Sequence, residues 1–351
     1  MMAEKIPKKI HKNAVLFGSG SIGDFLMFIY LSEMLTRSGS AERISMLVPR
    51  NARFLSGLLQ EYPYISLAEI SRFKGWGRFC TMLVRSNLVI LHPTLGRIPL
   101  RVKILAWLLT RCRESELIGF HDAGPLCSLY SKMLTYDTNK PYIDTVRDLA
   151  CSVGARADTA PPCLRFPFSP EVLKTYGLPG KKYIVFHPGA SNPKRMFTID
   201  ASVEFISFIH KEYPEMYVVL SGGADESEFI RGIMEKTGKE RIVAAVGTSA
   251  KDIASLIHSA KLFVGTDTGI THLACFLGAR VIEAAHHGTA NWLAFYSPQA
   301  TVLYRLANEE ETHTGEEYLH KHAKGAVRPF GAVPVIEVCR AIEELLSPES
   351  R

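Results

Sequence analysis

The chain has 351 residues, which predicts two domains at about 100–200 residues each. Apolar residues make up 47% and charged residues 22%, so the chain can build ordinary cores and extensive disorder is excluded. The net charge of +6 is too mild to indicate a nucleic-acid partner, but it suits an anionic substrate or an anionic membrane surface.

Cysteine usage and hydropathy indicate the compartment. The seven cysteines are odd in number and never spaced Cys-x-x-Cys, which argues against a disulfide scaffold or a thiolate zinc site and favours a reducing cytoplasm. The basic N-terminus is followed by an apolar run that glycines and Asp24 interrupt, so it does not predict a signal peptide. No apolar run reaches the roughly 18 residues of a transmembrane helix. We therefore expect a soluble cytoplasmic protein that is at most peripheral to a membrane.

The first half alternates short apolar runs with helix-length segments, the pattern of β–α units around a parallel sheet. Strands are predicted at 14–17, 44–48 and 88–91, and helices at 22–37, 98–112 and 141–153. Five prolines then fall within 161–182, which predicts a linker between domains.

The second half repeats this pattern more regularly. The predicted strands are 183–187, 217–221, 242–246, 262–265 and 281–284. The predicted helices are 199–211, 226–237, 250–258, 270–277 and 335–346, with a polar loop over 306–331. The sequence thus predicts an α/β protein of two Rossmann-like domains that face each other across a cleft. These domains are residues 1–160 and 183–332, followed by a C-terminal helix within 333–351.

The first glycine-rich loop lies between a strand and a helix and reads Gly18-Ser19-Gly20-Ser21-Ile22-Gly23. It satisfies the Gly-x-Gly-x-x-Gly dinucleotide fingerprint, which also includes an acidic residue at the end of the second strand. That strand ends instead at Arg50, which would suit NADP, so an NADP-dependent oxidoreductase is one interpretation. A glycine turn that only lets helix and strand pack closely is the other.

Asp24 follows these glycines at the start of the first predicted helix. A carboxylate there is stabilised by the helix dipole and by free backbone N–H groups, so one interpretation is a helix-terminus charge or cap. The other is a general base presented to an acceptor hydroxyl.

Two further motifs follow strands of the second half, at the edge where open α/β sheets bind ligands. The first runs from Phe186 to Ser191 and continues to Lys194 and Arg195, whose charge would neutralise phosphate oxygens. The second is Gly265-Thr266-Asp267-Thr268-Gly269-Ile270-Thr271-His272-Leu273-Ala274. A helix start of this kind suits a pyrophosphate, and His272 would add a hydrogen bond or a positive charge. The alternative is that Asp267 only caps the helix and His272 packs against the sheet.

Together these motifs resemble glycosyltransferase family 9, the lipopolysaccharide heptosyltransferases of GT-B fold, over residues 13–300. The matching residues are Gly23-Asp24, His187 to Ser191 with Lys194-Arg195, Gly222-Gly223 with Asp225-Glu226, and Asp267 to Gly269 with His272-Leu273-Ala274. Two departures lie near the expected donor pocket. Met196 stands where the family has Trp, and residues 285–288 replace its Phe-Gly.

The resemblance implies an inverting glycosyltransferase that moves a sugar, expected to be heptose from an ADP-heptose-type donor, to lipopolysaccharide core or a related glycolipid. It implies that Asp24 takes the acceptor proton and Lys194 balances charge on the leaving phosphate. The acceptor side would include the loop residues Gly20, Ser21 and Gly23. The donor residues implied are Ser191, Arg195, Gly222, Glu226, Asp267, Thr268, Gly269, Thr271 and His272.

The sequence contains no Asp-x-Asp, so transfer is expected to need neither a metal ion nor a cofactor, with a helix dipole and basic residues stabilising the leaving diphosphate. A non-catalytic member of the fold that binds a nucleotide or glycan is an alternative.

The segment 97–113 mixes five basic residues with an apolar set, and its basic side chains include Arg97 and Arg101. An ordinary helix whose apolar stripe packs on the sheet is one interpretation. The other is contact between these basic residues and an anionic glycolipid at the cytoplasmic face of the inner membrane.

Overall fold

The computed structural model of the chain divides into two compact units, Met1–Ala160 and Pro161–Arg351. The residues that the structure describes are 11–17, 21–48, 50–69, 76–91, 100–111, 115–120, 129–137, 140–157, 160–286, 290–306, 310–314 and 330–347. None of the helices in these ranges is long and apolar enough to cross a membrane.

The first unit is built on a parallel sheet. Its strands are β1 (His11–Phe17), β2 (Ala41–Val48), β3 (Ile65–Glu69), β4 (Leu88–Leu91), β5 (Glu116–Phe120) and β6 (Lys132–Leu134). Their order across the sheet is β3-β2-β1-β4-β5-β6, with every neighbouring pair parallel. The chain runs from β1 to one edge and then returns to β4 on the other side of β1. The carboxyl ends of β1 and β4 therefore flank a switch point, where open α/β sheets bind ligands.

In the part of this unit that the structure describes, four α-helices accompany the sheet: α1 (Ile22–Arg37), α2 (Trp76–Arg85), α3 (Leu100–Arg111) and α4 (Tyr142–Ser152). A 3₁₀ segment, Arg50–Glu61, connects β2 to β3. Helix α1 is apolar on nearly all sides and is buried from Gly23 to Ser32, as expected for a helix packed on all faces. The apolar side chains of β1, β4 and β5 form a core with Leu83 of α2 and Ala106 of α3.

The second unit contains a larger sheet. Its strands are β7 (Tyr183–His187), β8 (Tyr217–Gly222), β9 (Ile242–Val246), β10 (Leu262–Thr266), β11 (Val281–Ala285), β12 (Ala300–Tyr304) and β13 (His313–Thr314). Their order is β13-β12-β11-β10-β7-β8-β9, and β13 is antiparallel to β12 while the other pairs are parallel. Strands β7 and β10 are neighbours although two strands separate them along the chain. Their carboxyl ends flank the switch point of this sheet.

Among its described residues, six α-helices accompany the second sheet: α5 (Pro170–Thr175), α6 (Ile199–Glu212), α7 (Ser227–Thr237), α8 (Ala250–Ser259), α9 (Gly269–Phe276) and α10 (Val335–Leu346). Helices α6, α8 and α9 each begin at a hydroxyl N-cap, which is Thr198, Ser249 or Thr268. Each hydroxyl accepts the backbone N–H three residues later and so satisfies a donor that the helix leaves unpaired. Apolar faces of α6, α7 and α10 pack with β7, β8 and β10 in one core.

Some elements differ from the sequence predictions. Helix α7 begins at Ser227 because 224–226 forms a separate 3₁₀ turn. Residues 161–182 belong to the second unit and include α5, where Val172 is buried. The predicted loop 306–331 contains β13, and much of it lies outside the described residues. Strands β3, β5, β6 and β12 and helix α2 were not predicted.

Candidate functional site

Asp24 lies at the start of α1 and is only 4% exposed. Its Oδ2 accepts the Ser21 hydroxyl at 2.8 Å and the Ser21 backbone N–H at 3.3 Å, while Ser21 Oγ accepts the Asp24 N–H at 3.0 Å. This reciprocal pair is a capping box. Burial raises the pKa of Asp24, and the hydrogen bonds from Ser21 oppose the rise. Asp24 therefore caps α1 and also has the raised pKa that suits a general base.

The rest of the glycine-rich loop is only partly described. Gly23 is buried in the first turn of α1. Gly18, Ser19 and Gly20 lie outside the described residues.

In the second unit, β7 ends with a buried histidine, just before the loop that carries the first motif. His187 Nδ1 lies 3.0 Å from the hydroxyl of Ser221 at the end of β8. Burial lowers the pKa of His187 to about 4, and a hydrogen bond with Ser221 opposes that shift. The ring is therefore neutral at pH 7, and it supports the loop without adding charge. Ser191 and Lys194, further along the loop, are exposed.

Glu226 reaches across from the turn after β8 to the loop after β7. Its Oε2 accepts the Gly223 backbone N–H at 2.7 Å. A Cβ at Gly189 would overlap the Glu226 carboxylate, so this close approach requires glycine. Gly222 lies beside the same carboxylate, where a Cβ would be 3.2 Å from Oε2. Burial raises the pKa of Glu226, and the hydrogen bond from Gly223 opposes the rise.

The turn between β10 and α9 is closed by threonines. Thr268 Oγ1 accepts the Thr271 backbone N–H at 3.4 Å and lies 3.3 Å from the Thr271 hydroxyl, which itself donates to the Thr266 carbonyl. Thr266 Oγ1 donates to the Gly189 carbonyl at 3.3 Å and so joins this turn to the loop after β7. The α9 N-cap is therefore Thr268, which corrects the alternative that Asp267 caps the helix. Gly269 begins α9 and is half-buried.

Asp267 lies between two basic side chains. Its Oδ2 is 3.5 Å from Arg195 Nη1, and its Oδ1 is 3.7 Å from His272 Nε2. His272 is 3% exposed, and burial lowers its pKa; Asp267 opposes this shift and Arg195 adds to it. Of the two roles expected for His272, burial disfavours the positive charge.

Two polar residues beneath this turn were missed by the sequence analysis. Glu283, in β11, is fully buried, and its Oε2 accepts the Ala294 backbone N–H at 2.8 Å. Burial raises the pKa of Glu283 well above its usual value, and Asp267 adds to the rise. Tyr296 places its hydroxyl 2.8 Å from His272 Nδ1. A lone carboxyl inside the apolar strand Val281–Ala285 is the signal that could have identified Glu283.

These residues surround the switch point between β7 and β10. Backbone N–H groups at the start of α9 face the same edge of the sheet as Arg195, an arrangement suited to an anion such as a phosphate. Among the described residues, no group of three His, Cys, Asp or Glu side chains could hold a metal ion.

The sequence model of glycosyltransferase family 9 (heptosyltransferase) matches residues 106–321, well over half of the chain. The chain therefore belongs to glycosyltransferase family 9, and it is a glycosyltransferase, as the motifs predicted. Membership in this family does not favour the NADP-dependent oxidoreductase. No curated protein sequence matches the chain significantly.

Solved structures confirm the predicted GT-B fold with two Rossmann-like sheets. E. coli ADP-heptose LPS heptosyltransferase II is similar over 97% of this chain and 100% of its own, with a TM-score of 0.69 and 17% identity. A family 9 glycosyl transferase from Veillonella parvula has the same TM-score and identity over 97% of this chain and 98% of its own. E. coli heptosyltransferase WaaC, solved with ADP, is similar over 83% of this chain and 92% of its own, with a TM-score of 0.63 and 15% identity.

Proposed function

We propose that this glycosyltransferase transfers heptose from an ADP-heptose-type donor to a hydroxyl of lipopolysaccharide core or a related glycolipid, with inversion at the anomeric carbon. The observation that carries the proposal is the turn at the end of β10, where the start of α9 lies beside Arg195 in a family 9 chain. The structures of WaaC with ADP and with ADP-2-deoxy-2-fluoro heptose support the choice of donor.

The donor residues divide by chemistry. Backbone N–H groups at Gly269, the hydroxyl of Thr268 and the charge of Arg195 would hold the diphosphate. Thr271, expected from the sequence to bind the donor, is fully buried and its hydroxyl donates to the Thr266 carbonyl, so it stabilises the turn instead. Glu226 would accept hydrogen bonds from the nucleotide ribose, with the approach of the donor allowed by Gly222. The exposed Ser191 and Lys194 would also contact the phosphates, while Asp267 and His272 support the turn between β10 and α9.

In the reaction, Asp24 takes the proton of the acceptor hydroxyl as its oxygen bonds to the anomeric carbon. The bond from that carbon to the diphosphate oxygen breaks, and its electron pair leaves with the nucleoside diphosphate. Lys194 balances the charge that grows on this leaving group, together with the α9 dipole. One displacement inverts the anomeric configuration. These groups would stabilise the leaving diphosphate without a metal ion or other cofactor.

We further propose that α3 contacts the anionic membrane surface that carries the acceptor. Ile104 is 39% exposed and Leu108 is 48% exposed one turn later, whereas Ala106 and Thr110 are buried. Arg111 lies in the last turn of the same helix. An exposed apolar pair on a helix that ends in a basic residue fits the boundary of an anionic bilayer, whereas Arg97 lies outside the described residues. The five described cysteines are free thiols, which fits a location at the cytoplasmic face.

The acid–base assignment is tested by Asp24→Asn. A base lost from a transferring hydroxyl typically costs about 10²–10⁴-fold in rate, so turnover of ADP-heptose with a glycolipid acceptor should fall by that factor. Affinity for ADP, measured by calorimetry, should stay at the wild-type value because Asp24 does not belong to the donor set.

The matched control is Asp144→Asn, which also changes an acid in the first turn of a first-unit helix. It should keep wild-type turnover. Near-wild-type turnover in folded Asp24→Asn would leave Asp24 as a helix cap alone and refute its catalytic role.

A further inference from the structure

A row of buried polar side chains runs beneath the turn between β10 and α9. His272 presents Nε2 to Asp267 Oδ1 at 3.7 Å and Nδ1 to the Tyr296 hydroxyl at 2.8 Å. The Tyr296 ring lies nearly parallel to the His272 ring, with centroids 5.9 Å apart and an angle of 18°. Trp292 meets the His272 ring edge-on at 6.1 Å. The imidazole is therefore held by a hydrogen bond at Nδ1 and by packing against two aromatic rings, while Nε2 faces the Asp267 carboxylate.

The proton positions in this row follow from the chemistry of each group. Burial holds the pKa of Tyr296 well above its usual value, so the phenol keeps its proton and can donate it to His272. Burial likewise raises the pKa of the Cys275 thiol, which is hydrogen-bonded to Tyr296. A neutral imidazole carries one N–H. Because the Asp267 carboxylate only accepts, that N–H is favoured on Nε2, and Nδ1 is left to accept from the phenol.

We propose that Tyr296 is a positioning residue of the donor site: its hydroxyl holds His272 in the Nε2–H tautomer and aims that N–H at Asp267. Asp267 is then oriented by the ion pair of Oδ2 with Arg195 Nη1 at 3.5 Å and by the dipole of the His272 N–H, whose nitrogen is 3.7 Å from Oδ1. Its negative charge is compensated next to the α9 start, where the diphosphate of the proposed donor would bind. Without this restraint, the carboxylate would turn freely beside an anion site and repel the incoming diphosphate.

Glu283 fixes the backbone that presents Tyr296. Its Oε2 accepts the backbone N–H of Ala294, the first residue of the 3₁₀ turn Ala294–Tyr296. Since Glu283 is fully buried in β11, this hydrogen bond anchors the 3₁₀ turn to the sheet. The phenol is thus placed by a rigid strand, as groups that orient a functional histidine commonly are.

The test uses Tyr296→Phe in the whole protein labelled with ¹⁵N-histidine. In the wild type, the His272 signals, assigned by their loss in His272→Gln, should show a protonated Nε2 and a hydrogen-bonded Nδ1 without a proton. In Tyr296→Phe, which keeps the ring, the Nδ1 signal should move towards that of a free nitrogen. ADP affinity should fall about threefold to tenfold, the range expected for one hydrogen bond.

Tyr183→Phe is the matched control, because the Tyr183 hydroxyl donates to the Leu256 carbonyl at 2.7 Å elsewhere in the same unit. It should change neither the His272 signals nor ADP affinity. A wild-type His272 with its proton on Nδ1, or unchanged signals in Tyr296→Phe, would overturn the positioning role. The expected loss of ADP affinity in Tyr296→Phe rests on the proposed function. A wild type that shows the expected tautomer but binds no ADP would contradict the proposed donor and leave the tautomer assignment standing.

Discussion

The contact between Gly189 and Glu226 gives the sharpest test of the donor site. In Gly189→Ala, the new Cβ would lie only 2.8 Å from the farther carboxylate oxygen of Glu226 and closer still to the other. Because the carboxylate is the free end of a flexible side chain, it should turn away while the backbone stays in place. That movement breaks the 2.7 Å hydrogen bond from the Gly223 N–H.

The size of the effect follows from this one hydrogen bond. Hydrogen bonds to charged groups contribute about 1.5–3 kcal/mol, and the half-buried position of Glu226 favours the lower end. The free energy of unfolding should therefore fall by about 1.5 kcal/mol. If Glu226 binds the nucleotide ribose as proposed, affinity for ADP should fall about tenfold, the equivalent of about 1.4 kcal/mol.

A double-mutant cycle separates this mechanism from a general disturbance of the loop. Glu226→Ala removes the carboxylate, so adding Gly189→Ala to it should change stability and ADP affinity by less than about 0.5 kcal/mol. Urea unfolding and calorimetry measure the two quantities in all four proteins. Fully additive effects would show that the methyl group acts on something other than Glu226, and the reasoning from close approach would be refuted.

The remaining predictions concern His187 and α3. The pKa of His187 is about 4 in the folded protein, compared with an ordinary value of 6.5. Between pH 4 and 6.5, the unfolded chain therefore binds a proton at this residue that the folded protein does not. The wild-type free energy of unfolding should therefore fall as pH drops from 6.5 towards 4. Urea unfolding should show a shallower fall in His187→Gln. An equal dependence of stability on pH in both proteins would contradict a buried neutral ring. For α3, Ile104→Gln with Leu108→Gln, and separately Arg97→Glu with Arg101→Glu, should each reduce sedimentation with anionic vesicles at low salt. Ile336→Gln, which changes a side chain 48% exposed in the other unit, should not. If the wild-type protein does not sediment with anionic vesicles at low salt, the proposed membrane contact is refuted.

The elements that were predicted well carry local signals. Helix α1 has its capping Ser21 and the acidic Asp24, and α6 and α8 have the hydroxyl caps Thr198 and Ser249. Two of the missed strands, β12 and β6, carry weaker signals. In β12 the residues Ala300 and Thr301 are half-buried, and β6 is short and largely exposed, so neither shows a clear apolar run.

The sequence by itself determined the alternation of strands and helices, the two glycine-rich helix starts and the family motifs, because each depends on residues close together in the chain. Only the tertiary structure decided which of these motifs meet. The order of the second sheet places β10 beside β7, and this pairing brings Asp267 to Arg195 across 72 positions of sequence. It also decided the protonation of the site, since the pKa values of His187, His272 and Glu283 are set by burial. Burial depends on everything packed around a group, and no local pattern of residues encodes it.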